Sequence, residues 1–314
     1  MGFTITSAFV QGYKNNIHML AQQKTARVFG TVRQEQQASK TDFHERIGET
    51  EANDVTTRHR DTPINNAPLS RRAVTLKDSD WGELIDSLDR VRLLINPDDP
   101  YVDIAVSALN RKQDDVFFAA AFGVARAGED GEINVPFLES QKTVATNSAG
   151  TALATLSVRT LRRVVRKYDD ADVDEEDMRF FVFNGAQKEA LLGELEIQSA
   201  DFNSVKALVE GQIDTFLGLK FIRSERLPVL AVAITTADFS TGLTTGGGDT
   251  VPAGSDRLLS YTRSGMLASS GMDITVKIGP RADKAWSTQI FVEQSKGAVR
   301  MEELRCQEIL CLAN

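Results

Sequence analysis

Apolar residues recur at three- and four-residue steps between Pro100 and Gly123, through Val102, Val106, Leu109, Val116 and Ala120. That is the period of one helix face. Asp98 and Asp99 offer capping oxygens, Pro100 suits the first helical position, Asp103 puts negative charge near the positive end, and Gly123 is a natural stop. At 1.5 Å per residue the pattern predicts a rod of about 36 Å, long enough to act as a strut. Arg111 lies one turn before Asp114 and Asp115, which predicts a solvated opposite side. Residues 4–24 repeat the pattern with Phe9, Val10, Tyr13, Ile17 and Leu20 behind a Thr6 or Ser7 cap. Trp81–Leu94 does so with Leu84, Ile85, Leu88, Val91 and Leu94, ending at Asn96 and Pro97. In Thr151–Tyr168 the apolar Leu153, Leu156, Leu161, Val164, Val165 and Tyr168 oppose Arg159, Arg162, Arg163, Arg166 and Lys167. Shorter helices are predicted at Asn184–Glu194 and near Ser204–Gly211.

Strand patterns fill much of the rest. Arg179–Phe183 (RFFVF) reads as a buried strand, and Asp214–Phe221, Pro228–Thr235, Asp273–Ile278, Ser287–Glu293, Val299–Met301 and Cys306–Leu312 as further strands, with a turn at Gly297. Gly246, Gly247 and Gly248 mark a surface loop. The stretch from about Val32 to Thr75 breaks both periods. It is polar and charge-rich, with strand-like pieces at Asp42–Gly48 and Ala73–Lys77 and with Pro63 and Pro68 between them. A segment this long without its own core is uncommon inside a compact domain. It reads either as a loosely packed insertion or as a projecting hairpin. The hairpin's first arm would be acidic (Glu45, Glu49, Glu51, Asp54) and its second basic (Arg58, Arg60, Arg71, Arg72). Such arms can pair with each other or lie across a neighbour.

Composition narrows the function classes. The 314 residues are 41% hydrophobic and 25% charged, enough for one large or two ordinary domains with a sizeable core. No apolar run has the length of a membrane span and the start lacks a signal sequence, so cytoplasmic synthesis without secretion is expected. A net charge of −8 argues against a nucleic-acid binder that relies on overall electrostatics, although not against one that encloses nucleic acid. Cys306 and Cys311, five apart, would point to opposite faces of one strand and could not bridge.

Reactive chemistry is not legible. The three histidines are His18, His44 and His59. His44 and Glu45 begin a zinc-protease-like string, but Gly48 stands where the second histidine belongs. The triple glycine is not followed by Gly-Lys-Ser/Thr, and no Gly-x-Ser-x-Gly elbow occurs. Asp170, Asp172 and Asp174 open like a calcium loop, yet Glu175 and Phe181 occupy its glycine and glutamate positions. This acidic run reads as a solvated linker. The basic face of 151–168 is either offset by that run or turned towards DNA phosphates without sequence preference. No catalytic, cofactor or metal residues are assigned.

Words in a fixed order carry a resemblance: FVQGYKNNIHMLAQQK, RIGETEA, TRHRDTP, SRRAVTLKDSDWGELIDSLDRVRLLINPDDPY, ALNRKQDD, RFFVFNGAQKEALL and GQIDTFLGLKF. Together they resemble the major capsid proteins of tailed double-stranded DNA bacteriophages, with the HK97-type fold, over nearly the whole chain. The resemblance implies an α+β chain with an N-terminal arm (1–42) and an extended β-hairpin loop (43–75). It also implies a peripheral domain with a long spine helix (76–177 and 273–314) and an axial domain (178–272). It implies a structural protein, not an enzyme, that self-assembles as pentamers and hexamers into an icosahedral head around double-stranded DNA. Expected partners are other copies of the chain, a scaffolding protein, a portal and a decoration protein, with no membrane. No long scaffold-like segment precedes the arm, so the expectation is a separate scaffolding protein or a chain already processed. No lysine–asparagine cross-linking pair is identified. The residues assigned to subunit contacts are Phe9, Tyr13 and Ile17 on the arm, Arg58, Arg60, Arg71 and Arg72 on the hairpin, and Arg281 and Lys284 at threefold points. Arg159, Arg162, Arg163 and Arg166 are assigned to the DNA side. Two alternatives are an encapsulin-like cargo shell and, from a different class, a cytoplasmic enzyme or binding module.

Overall fold

The computed structural model describes residues 21–62, 64–86, 98–147, 153–193, 215–232, 234–235 and 250–313. The chain opens with strands β1 (Arg33–Gln36), β2 (Thr41–Ile47), β3 (Leu69–Thr75) and β4 (Lys77–Ile85), then the 25-residue helix α1 (Asp98–Phe122). Strands β5 (Ala125–Ala127), β6 (Ile133–Val135) and β7 (Lys142–Val144) lead to α2 (Val158–Asp170), β8 (Arg179–Phe183) and α3 (Gly185–Leu192). The short β9 (Thr215–Phe216), β10 (Leu219–Arg223), β11 (Ile234–Thr235) and β12 (Thr250–Val251) follow. Strands β13 (Asp256–Thr262), β14 (Met266–Arg281), β15 (Ser287–Arg300) and β16 (Cys306–Cys311) complete an α+β chain. It divides into two compact units, one of residues 1–25, 78–112 and 272–295, the other of residues 26–77, 113–271 and 296–314.

The larger unit is built on a six-stranded mixed sheet in the order β7-β16-β13-β8-β10-β9. RFFVF lies in its interior, parallel to β10 and antiparallel to β13. Side chains alternate across a strand, so Phe181 and Phe183 enter one layer and Phe180 and Val182 the other. The first layer receives Val158, Leu161, Val164 and Tyr168 of α2, and the second receives Phe117, Phe118 and Ala121 of α1. Burial on both faces explains why β8 is apolar without alternation. Cys306 and Cys311 lie at the two ends of β16 and belong to opposite layers, as their odd spacing requires. Burial raises both thiols well above their ordinary range. Strands β7 and β16 add residues 142–144 and 306–311 to this sheet.

Asp114 corrects one expectation. Its carboxylate is fully buried and accepts from the backbone N–H of Arg27 at 3.0 Å and of Val28 at 3.2 Å, pinning the segment that brings Val28 and Phe29 into the core. The side predicted to be solvated is therefore interior at Asp114, whereas Asp115 stays partly exposed and pairs with Arg226 at 2.6 Å. Arg111, in the smaller unit, donates to Gln22 Oε1 at 2.9 Å and to the Gln23 carbonyl at 3.0 Å.

In the smaller unit Ala105 and Leu109 pack with Ile85, Ile290 and Val292, flanked by Trp81, Tyr101 and Val102. Trp81–Ile85, predicted as the start of a helix, is instead the end of β4, in a sheet ordered β1-β14-β15-β4. Residues four apart share a face in both a helix and a strand, so Trp81 and Ile85 alone do not distinguish them. The remainder of that predicted helix (87–94) lies outside the described residues, as do residues 4–20 of the first helix, the Ser204–Gly211 helix and the triple glycine. Residues 21–24 are not helical. The helix predicted over 151–168 begins at Val158, where Ser157 caps it by accepting the Thr160 N–H at 3.2 Å. The acidic run that follows joins a helix to a strand, and Asp169 and Asp177 pair with Arg179 and Arg305. Gly297 is not a turn. It sits inside β15, where a Cβ would lie 2.9 Å from the Thr75 carbonyl oxygen, so glycine is required by close backbone approach.

Candidate functional site

The polar stretch forms a hairpin. β2 and β3 pair antiparallel from Thr41↔Thr75 to Ile47↔Leu69, which places Glu45 opposite Arg71. Those two side chains form an ion pair at 2.9 Å, so the acidic and basic arms pair with each other. Past Gly48, whose N–H donates to the Pro68 carbonyl at 2.8 Å, the described loop residues are exposed apart from a partly covered Arg60. Polar cross-bonds hold the loop together. Asn53 Nδ2 donates to Asn65 Oδ1, Asn65 Nδ2 to the Glu51 carbonyl, and Arg60 to the carbonyls of Asp54 and Asn53. Four apolar side chains stand in solvent on this hairpin: Ile47 (73% exposed), Val55 (76%), Ile64 (87%) and Leu69 (73%). Arg58 is exposed.

The root of the hairpin is different. Arg72 is 3% exposed and pairs with Glu303 at 2.5 Å. Arg46, from the other strand, lies 3.8 Å from the same carboxylate and donates to the Met301 carbonyl. Arg300, fully buried, reaches Glu303 at 3.7 Å and donates to the carbonyls of Ala121 and Gly123, satisfying the C-terminal end of α1. One carboxylate thus ties both hairpin strands to the β15–β16 turn and to the helix terminus. Burial, and then the neighbouring Arg72, pull the Arg46 guanidinium below its ordinary pKa, while Glu303 and Glu302 oppose this. Arg72 is spent inside its own fold and does not face outward as expected. Its place two residues before the fully buried Val74 on β3 is the signal that could have shown this. Glu303 and Arg300 were missed because nothing local in MEELR or GAVRM marks them.

The remaining predicted residues fall on separate surfaces. Arg281 and Lys284 sit on the turn between β14 and β15, where Arg281 forks onto Asp283 at 2.9 and 2.5 Å. That hydrogen bond, together with the opposite charge, holds the Asp283 carboxyl below the usual carboxylate range. Ala285 and Trp286 both take the left-handed conformation (φ 49° and 59°), and Trp286 is 67% exposed at the tip. On α2, Arg162 and Arg166 are exposed, Arg159 and Arg163 half-buried, and Arg166 lies 3.4 Å from Asp170. Phe9, Tyr13 and Ile17 lie outside the described residues. Among the described residues no cluster of His, Cys, Asp or Glu could hold a metal ion, and no helix is long and apolar enough to cross a membrane.

A mixed sheet covered on both faces and a polar hairpin with exposed apolar side chains on a root tied to Glu303 are the features that any relative must share. The family profile described as "Phage capsid protein" matches residues 5–313, and the chain belongs to that family. Its fold is similar to the capsid of cyanophage P-SCSP1u (TM-score 0.72, 14% identity, 100% of this chain and 96% of that one). It is also similar to the capsid of Ralstonia phage GP4 (0.71, 10%, 100% and 99%) and to that of Helicobacter pylori bacteriophage KHP30 (0.69, 9%, 99% and 98%). No curated protein matches in sequence. The chain is a major capsid protein with an α+β fold, a structural component of the virion and not an enzyme.

Proposed function

We propose that this capsid protein closes an icosahedral head of pentamers and hexamers around double-stranded DNA. In this reading residues 1–42 are the arm, 43–75 the extended loop, 76–177 and 273–314 the peripheral domain with α1 as spine, and 178–272 the axial domain. The observation that carries it is the hairpin: fixed at Glu303, without a core beyond Gly48, and bearing Ile47, Val55, Ile64 and Leu69 in solvent. Full exposure of such side chains forgoes about 1.5–3 kcal/mol each relative to burial, a gain available on the surface of a neighbouring copy. Surface charge pairs contribute at most about 1 kcal/mol each, so registered repetition rather than any one contact closes the shell.

Arg58 and Arg60 then meet the neighbour, with Arg71 completing the basic arm. Phe9, Tyr13 and Ile17 dock the arm, and Arg281 and Lys284 meet at threefold points. Arg159, Arg162, Arg163 and Arg166 face packaged DNA and contact phosphates without sequence preference. A scaffolding protein, a portal and a decoration protein complete the head. The test is Arg58→Glu with Arg60→Glu. The double variant should give a folded, soluble subunit that fails to close shells under electron microscopy, and normal particles would remove the basic arm from the mechanism. Particles filled with protein cargo in place of nucleic acid would contradict the DNA assignment.

A further inference from the structure

We propose that the cleft between α2 and the Ser140–Val144 segment is a phosphate-binding site. It encloses about 510 Å³, and its lining includes Lys142, Thr143, Arg163, Arg166, Lys167 and Asp170. Four of these six side chains are cationic and one is anionic. At the rim, Lys142 pairs with Glu139 at 2.6 Å and Arg166 with Asp170 at 3.4 Å. Arg163 and Lys167, one turn apart on α2, make their hydrogen bonds to neutral groups. Arg163 donates to Thr146 Oγ1 at 3.4 Å, and Lys167 Nζ donates to the carbonyls of Ser140 and Lys142, each at 2.8 Å. Burial, with Arg163 adding repulsion, lowers Lys167 to about 8, and burial with Arg159 lowers Arg163. Asp170, the one carboxylate of the lining, sits with Arg166, so among the described residues Arg163 and Lys167 are held together, partly desolvated, with neutral hydrogen-bond partners.

Thr143, 3% exposed, forms part of the wall behind these cations, and its buried hydroxyl has no hydrogen-bond partner among the described residues. Guanidinium and ammonium donors around one cleft suit a tetrahedral oxyanion, which accepts several charge-assisted bonds at once. The volume exceeds one phosphate ion, so the group can enter as inorganic phosphate with water or as a phosphodiester of a nucleic-acid backbone. Arg163 and Arg166 are also among the arginines assigned above to DNA, so the phosphodiester form of this site rests on that reading, while the free-phosphate form does not.

Pulsed acetylation of the purified subunit at pH 7.5, read by peptide mass spectrometry with exposed Lys220 as the reference, tests it. At ten times its Kd, inorganic phosphate should slow Lys167 acetylation about tenfold relative to chloride at matched ionic strength. Short double-stranded DNA protecting at far lower phosphate concentration would assign the source to nucleic acid, and protection by inorganic phosphate alone would assign a free ion. Both results uphold the site. Arg163→Gln, checked for an unchanged melting curve, and independently Arg166→Gln, should reduce protection. Equal protection by chloride or acetate, or full protection retained in both variants, would overturn it.

Discussion

In the six-stranded sheet, Phe181 and Phe183 disappear between a strand and a helix. On the hairpin, Ile47, Val55, Ile64 and Leu69 stand exposed among the described residues. The sheet satisfies itself, with Phe181 and Phe183 each against Phe221 at 5.4 and 5.3 Å and helix α2 closing the layer. The hairpin satisfies only its root. Stability and assembly are therefore written into different residues, and substitutions should separate them.

The largest effect on stability is expected in the sheet. Phe181→Ala removes a fully buried ring and should cost about 3–5 kcal/mol by chemical denaturation, depleting subunits before any shell forms. The root is next. Glu303→Gln leaves buried Arg72 without its carboxylate and should cost about 3 kcal/mol. Hydrogen exchange should accelerate in β2 and β3 while β8 stays protected; equal acceleration in both would dissolve the distinction between them. The tip should move stability least. Val55→Asp with Ile64→Asp should leave subunit stability within about 0.5 kcal/mol. Shells should nonetheless disappear from sedimentation profiles. Unchanged particles would show that the exposed side chains have no partner.

What the chain disclosed by itself follows the range of its interactions. The α1 rod, the RFFVF strand and the opposed cysteines depend on spacing along one element, and each was legible from period or parity. The charged arms of the hairpin could be named, but spacing alone leaves open whether they pair with each other. Trp81–Ile85 was not, because its apolar spacing fits a helix and a strand alike. Gly297 was misread as a turn because the carbonyl of Thr75, which excludes its side chain, is more than 200 residues away in sequence. Asp114 and Glu303 look like surface acids. Their roles depend on backbone N–H groups at residues 27 and 28 and on arginines at 46, 72 and 300, which only the folded chain brings to them. Arg58 and Arg60 could be placed on the projecting loop from sequence, whereas Arg72 could be excluded only once β3 had a buried face.

Hydrogen–deuterium exchange of residues 48–68, measured in free subunits and in closed shells of the same protein, probes the hairpin's missing partner most directly. Rapid exchange in the subunit and strong protection in the shell is the expected result. Equal exchange in the two states, or full protection already present in the lone subunit, would contradict it.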